Sequence, residues 1–208
     1  MKKLNVLIGC ESSGTVREAF RKLGHNAWSS DFLPADDGSE FHYQGNVLDV
    51  IKEQEWDIGI FHPPCTYLCS SGLHWNSRVQ GRQDKTEQAL LFVQILMDLD
   101  IPHICIENPI GCISTRIRKY DQKIQPYEFG DDASKSTCLW LKNLPLLKPT
   151  EYVEPRIVNG KKRWSNQTDS GQNRLGPSET RWKERSKTYQ GIADAMAWQY
   201  SEYVLKGE

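Results

Sequence analysis

The 208-residue chain lacks several things that would assign it quickly. No apolar run approaches the ~20 residues needed to cross a bilayer. The opening MKKLNVLIGCESSG turns polar too soon for a secretory leader, so the expected location is the cytoplasm, where its six cysteines would stay as free thiols. A Gly-x-Gly-x-x-Gly turn is missing, which argues against a nicotinamide-dependent oxidoreductase. Cys65 and Cys69 lie close to His62 and His74, but no second Cys/His pair follows at zinc-ribbon spacing, so no metal is expected. Internal repeats and low-complexity tracts are also absent. The net charge of −1 gives no mark of a polyanionic partner in total.

The distribution of charge is more informative than its sum. Residues 1–111 hold 9 Lys/Arg against 15 Asp/Glu, whereas residues 112–190 hold 16 against 9. Such a division fits an acidic half and a basic half that faces a polyanion.

Hydrophobic patterning predicts alternating strands and helices. LNVLIG reads as a strand, CESSG as a tight turn, and TVREAFRKLGH as a helix stopped at Gly24. NAWSSD reads as a second strand ending in an acid. GNVLDVIKEQEW becomes a short helix, DIGIFHPP a strand, and PHICIENP another strand stopped by Pro109. KTEQALLFVQILMDLD is apolar on most faces and is expected to be a buried helix. SKSTCLWL looks like one more strand, and GIADAMAWQYSEYVL like a closing amphipathic helix with Ile192, Ala195, Met196 and Tyr203 on its apolar face. The alternation predicts an α/β fold with a mostly parallel, doubly wound sheet. The expected organisation is an α/β core over 1–141, a short basic segment over 142–188, and a C-terminal helix over 189–208 that packs back on the core.

In open parallel sheets, ligands bind beyond the carboxyl ends of the strands. The first strand ends in Cys10-Glu11-Ser12-Ser13-Gly14, the second in Asp31, the fourth in Pro63-Pro64-Cys65, and the fifth in Glu107-Asn108-Pro109; Asn46 and Asp49 follow the third segment. The prolines fix φ and donate no hydrogen bond, so the chain leaves its sheet abruptly and presents Cys65 on a stiff turn. Each feature has an ordinary structural reading: Cys65 as a small core residue, Glu107 as a turn cap. Together, a thiol and a carboxyl at neighbouring strand ends suit a nucleophile and an acid facing one substrate.

The arrangement resembles the cytosine-5 DNA methyltransferases. PPC resembles their nucleophile motif and ENP their Glu-Asn-Val motif, about 40 residues apart and in the same order. IGCESSGTVREAFRKLGH is similar to the family's first motif and helix, YQGNV to its Gly-Asp-Ile motif, and LFVQILMDLDIPHICIENPIG to the helix and strand leading into the Glu motif. The resemblance spans most of residues 4–111. It implies a Rossmann-like S-adenosylmethionine-dependent methyltransferase fold and methyl transfer to carbon 5 of cytosine in double-stranded DNA. Cys65 would add to carbon 6 of a flipped base while Glu107 serves N3. It further implies a donor site formed by Cys10, Ser12, Ser13, Gly14, Asp31, Asn46 and Pro63, with Asp31 on the ribose hydroxyls. Pro64, Asn108 and Lys135 would face the substrate. Asn46 stands where the family usually has Asp, Thr66 where Gln is usual, and Pro109 in place of Val.

The family's target-recognition domain is nearly absent, a brevity that suits a phage or mobile-element enzyme. Residues 156–187 carry 9 Lys/Arg against 3 Asp/Glu, with Trp164 and Trp182 interleaved. Lys161, Lys162, Arg163 and Trp164 are the residues expected on nucleic acid, the bases on phosphates and the indole against a base or its gap. The rival readings are the same chemistry on RNA, and a nucleic-acid-binding protein with a degenerate catalytic domain.

Overall fold

The computed structural model describes residues 2–207. Nine strands and seven helices run in the order β1 (Asn5–Gly9), α1 (Thr15–Lys22), β2 (Asn26–Asp31), β3 (His42–Gln44), α2 (Val47–Val50), β4 (Ile58–Phe61), α3 (Ser70–Leu73), α4 (Arg82–Met97), β5 (His103–Pro109), α5 (Ile113–Arg116), β6 (Gln122–Ile124), β7 (Thr137–Lys142), β8 (Arg156–Val158), β9 (Lys161–Arg163), α6 (Arg181–Ser186) and α7 (Gln190–Lys206). Two further single turns are of the 3-10 type, one of them at Cys65–Tyr67.

Seven strands form one sheet in the order β3-β2-β1-β4-β5-β7-β6. All pairings from β3 to β5 are parallel, and β7 runs antiparallel to both its neighbours. The sheet is thus mostly parallel and wound both ways from β1. The order reverses between β1 and β4, the point where such sheets open a crevice for ligands. The central strands β1 and β4 and the first half of β5 are nearly continuous apolar runs because both faces are covered there. One face packs Val6, Ile8 and Ile60 against Val16 and Phe20 of α1 and Ile192, Met196 and Tyr200 of α7. The other packs Leu7, Phe61 and Ile106 against Leu90, Val93 and Leu96 of α4.

The expected Gly24 stop of α1 is a Schellman turn: Gly24 has φ 87°, its N–H bonds to the Arg21 carbonyl, and the His25 N–H bonds to Phe20. Along α7, Ile192, Ala195 and Met196 are buried as the periodicity predicts, while Tyr203 is only half-buried. Helix α4 corrects the reading of a helix buried on most sides. Leu91 and Ile95 point outward, 62% and 39% exposed, because α4 covers the sheet with a single stripe. Strands β3 and β6, three residues each, gave no apolar run to find. The basic segment has structure of its own, the β8–β9 hairpin and the short helix α6.

Candidate functional site at the carboxyl edge of the sheet

The parallel register aligns the strand ends in one row. Gly9 pairs with Ser30 on one side and with Phe61 on the other, and Phe61 pairs with Ile106. Cys10, Asp31, His62 and Glu107, each the next residue, therefore lie along one edge of the sheet.

At the β1 end, Cys10 has a left-handed backbone (φ 61°), as does Gly14 (φ 71°). The two reversals let the chain double back into α1. Glu11 is buried and closes this turn: its carboxylate accepts hydrogen bonds from the Val16 N–H (2.8 Å), the Arg17 N–H (3.3 Å) and the Ser13 hydroxyl (3.1 Å). It supplies the helix cap that Gly14 cannot. The backbone N–H groups of Ser12, Ser13 and Gly14 make no hydrogen bond to any described residue, so they are available to a ligand. Burial and, secondarily, the Asp31 charge push the Cys10 thiol up to about 12, leaving it neutral. Asp31 is half-buried and accepts from the Leu33 N–H at 2.9 Å, which fixes its carboxylate at the end of β2. Asn46 lies at the start of α2, exposed, with its amide oxygen capping the Leu48 N–H at 3.1 Å.

Three ties join the β4 end to the β5 end. The Nδ1 of His62 lies 3.0 Å from the Glu107 carboxylate. The Asn108 amide donates to the Pro63 carbonyl at 2.7 Å. Beyond them, Cys69 and Gly111 form an antiparallel bridge, in which the Ser70 N–H bonds to the Ile110 carbonyl (3.0 Å) and the Cys112 N–H to the Leu68 carbonyl (2.8 Å). The turn bearing Cys65 is thus fastened to the loop after Glu107. Pro64 is exposed and Pro63 buried, so the rigid pair straddles the surface.

Cys65 is half-buried and shares a hydrogen bond with Cys69. That bond, with burial next, pushes the Cys65 thiol up; the same bond draws the Cys69 thiol down, helped by Ser71 and by the N–H groups of Ser71 and Gly72. Glu107 is buried. Burial acts to raise its carboxyl, but the His62 hydrogen bond and charge, then Lys135, then Thr137, outweigh it and hold the group below its ordinary value. The Lys135 charge acts on both Glu107 and Cys65, and its ammonium donates to the Lys187 carbonyl at 3.3 Å.

The structure thus brings together Cys10, Ser12, Ser13, Gly14, Asp31, Pro63, Pro64, Cys65, Glu107, Asn108 and Lys135. It treats the basic segment differently from expectation. Trp164 does not face solvent: it is 7% exposed, its indole N–H donates to the Val153 carbonyl at 3.1 Å, and it stacks on Tyr127 at 4.1 Å. An indole that satisfies its N–H and one face internally belongs to the core of the segment. Arg163 is also committed, donating to the carbonyls of Asp169 (3.0 Å) and Lys162 (2.9 Å), so it clamps the hairpin. Lys161 and Lys162 remain exposed, and Trp182, 61% exposed on α6, is the outward indole.

Sequence reasoning missed His62 as a partner of Glu107, Cys69 as a partner of Cys65, and Glu11 as the capping acid. It also missed Lys183, which reaches Asp36 at 2.6 Å and ties α6 to the loop after β2. A signal existed for His62, since residues that follow paired strand positions sit side by side. No signal existed for Lys183, whose partner is 147 positions away in the chain.

Neither a protein-family model nor a curated protein sequence matches the chain. Solved structures do match in shape, among them two methyltransferases. One is described as a candidate DNA modification methyltransferase encoded within a prophage of E. coli, with 15% identity and a TM-score of 0.50 over 73% of this chain and 52% of that one. The other is the Entamoeba histolytica methyltransferase EhMeth, with 17% identity and a TM-score of 0.50 over 74% of this chain and 59% of that one. The chain therefore spans between half and three-fifths of the length of these proteins. Over about three-quarters of its own length it has the Rossmann-like methyltransferase fold, and that fold fits the family its motifs resemble.

Proposed function

We propose that the chain transfers a methyl group from S-adenosylmethionine to carbon 5 of cytosine in double-stranded DNA. The observation that carries this reading is the fastening of a thiol-bearing turn to a buried carboxyl at the adjacent strand end, with one ammonium acting on both.

The β1–β2 edge suits the donor. Unbonded N–H groups of Ser12, Ser13 and Gly14 lie beside the fixed Asp31 carboxylate, which would accept from ribose hydroxyls. Cys10, Asn46 and Pro63 would complete the site. When bound there, S-adenosylmethionine supplies a methyl group made electrophilic by its sulfonium.

The chain's own residues would do the rest. Cys65 forms a bond to carbon 6 of the base as its thiol gives up its proton, for which the neighbouring Cys69 sulfur is the acceptor at hand. Ring electrons move to N3, where Glu107 would serve, and carbon 5 becomes nucleophilic. After methylation the carbon-5 proton leaves to solvent water, its bonding pair forms the carbon 5–carbon 6 double bond, the Cys65–carbon 6 bond breaks with its electrons going to sulfur, and the aromatic ring is restored. Lys135 favours the anionic forms of both Cys65 and Glu107. Pro64 and Asn108 would border the base. Support for a duplex partner comes from the exposed Lys161 and Lys162 and from α6, where Trp182 stands between Arg181 and Lys183. Lys135–Lys187 and Lys183–Asp36 hold that helix beside the site.

The test is transfer of labelled methyl to cytosine-containing duplex DNA, with matched RNA in parallel and a duplex carrying 5-fluorocytosine as a covalent trap. Transfer to DNA and a trapped complex mapped to Cys65, both lost in Cys65→Ala, are expected. Transfer to RNA alone would replace the substrate; trapping at Cys69 would replace the nucleophile; no transfer to either would refute the reading.

A further inference from the structure

An ionised carboxylate only accepts hydrogen bonds, and N3 of cytosine also only accepts. Glu107 can therefore assist N3 only when a proton lies between them. The surroundings of Glu107 hold it below its ordinary value, that is, towards the ionised form that has no proton to give. The proton must come from a neighbour.

One neighbour is built for this. His62 follows Phe61, and Glu107 follows Ile106, its registered partner, so the two side chains leave adjacent parallel strands at the same level. The His62 backbone N–H bonds to the Gly9 carbonyl at 2.9 Å, which fixes its Cα in the sheet. Its Nδ1 meets the Glu107 carboxylate at 3.0 Å, with side chains only 7% and 11% exposed. The other ring nitrogen, Nε2, is buried with no partner among the described residues, as is the Asn108 amide oxygen. A buried imidazole with one nitrogen committed to a carboxylate and the other unsatisfied is costly as a structural tie. Its two ring nitrogens give it the geometry to hand a proton on to that carboxylate.

We infer that His62 is a positioning and proton-supplying residue that acts through Glu107: the pair holds one proton and delivers it to N3 as the Cys65 adduct forms. The inference rests on the cytosine reading above. In the step, the Cys65–carbon 6 bond forms and its electron pair displaces the ring π electrons towards N3. N3 takes the one proton the pair holds, handed on through the ionised Glu107 carboxylate. Glu107 takes the proton of His62 Nδ1, and the imidazolium becomes a neutral imidazole protonated at Nε2. Expulsion of the thiolate runs the transfer backwards. The charged and titratable groups that face the pair are Lys135, with the Thr137 hydroxyl, from the segment entering β7; Cys65 from its own turn; and the Cys105 and Cys138 thiols from β5 and β7.

His62→Asn separates the roles. The Asn amide can donate to Glu107 from about the position of Nδ1 but carries no titratable proton. We expect H62N to keep its melting temperature, donor affinity and KM for DNA while kcat and the rate of 5-fluorocytosine trapping fall by about 10²-fold, and the high-pH limb of the kcat profile to move by about one unit or more. Wild-type kcat and an unchanged profile in H62N would make His62 a clamp and overturn the inference. Wild-type protein inert towards cytosine in both DNA and RNA would overturn the underlying reading, and the relay with it. An active wild type with an indifferent H62N overturns the relay alone.

Discussion

Gly111 is a position beside the candidate site where a very small change should do large local damage. Its backbone conformation is one that any residue can adopt, so Gly111→Ala adds no torsional strain of its own. The obstacle is space. A Cβ there would collide with the Leu68 carbonyl oxygen and come within 2.8 Å of both the Leu68 carbonyl carbon and the Cys69 Cα. All three are backbone atoms, so no rotamer change absorbs the clash. The strands of the bridge must separate, and with them the Ser70–Ile110 and Cys112–Leu68 hydrogen bonds. Two backbone bonds at about 1 kcal/mol each, plus about 1–3 kcal/mol for an overpacked methyl, give a loss of about 3–5 kcal/mol. For a chain of this size that corresponds to a fall in melting temperature of about 10 °C. The effect on the site should exceed the effect on stability, because the released segment carries Cys65. Circular dichroism melts and peptide-mapped iodoacetamide labelling of Cys65 at 20 °C measure the two separately. Gly176→Ala, with nothing within 4 Å of the added atom, is the control and should melt within about 0.5 kcal/mol of wild type. A G111A protein with wild-type melting and wild-type Cys65 labelling would show that the bridge does not hold the turn.

Trp164→Ala should destabilise by about 3–5 kcal/mol, since it empties a stacked, hydrogen-bonded site, whereas Trp182→Ala should leave melting unchanged and weaken duplex binding; gel-shift titrations beside thermal melts distinguish them, and the reverse pattern would restore Trp164 as the contact residue. Asp31→Ala should weaken S-adenosylmethionine binding by about 1.5–3 kcal/mol, measured by calorimetry, and the exposed Asp49→Ala should not; equal losses would move the ribose contact elsewhere.

The sequence disclosed the core of the fold because its strands are short apolar runs closed by Gly, Asp or Pro. Phe61 to Cys65 and Ile106 to Pro109 show where the chain leaves the sheet, and the parallel rule then places both departures on one edge. What stayed hidden depends on distance along the chain. Trp164 reads as an aromatic in a basic stretch, and only Tyr127 and the Val153 carbonyl, brought up from elsewhere, turn it inward. Arg163 reads as a free charge until the turn after β9 brings the Asp169 carbonyl back to it. Leu91 and Ile95 look like core because α4 is rich in apolar residues, and composition does not say that the sheet covers only one side of a helix. His62 was visible as a residue but not as half of a pair, since pairing needs the β4–β5 register.

The triple fastening of the Cys65 turn also decides which partner must move. A side chain tethered through His62–Glu107, Asn108–Pro63 and Cys69–Gly111 has little configurational freedom left to lose when it reacts. Under the cytosine reading, the search for a productive encounter is thereby transferred to the nucleic acid, whose target base would unstack and swing to a stationary thiol. An enzyme arranged in this way discriminates by how readily its substrate deforms. Under the cytosine reading, a cytosine in a mismatch, beside a gap or in a single-stranded stretch should be modified faster than the same base in an intact duplex, with no change in any contact the protein makes.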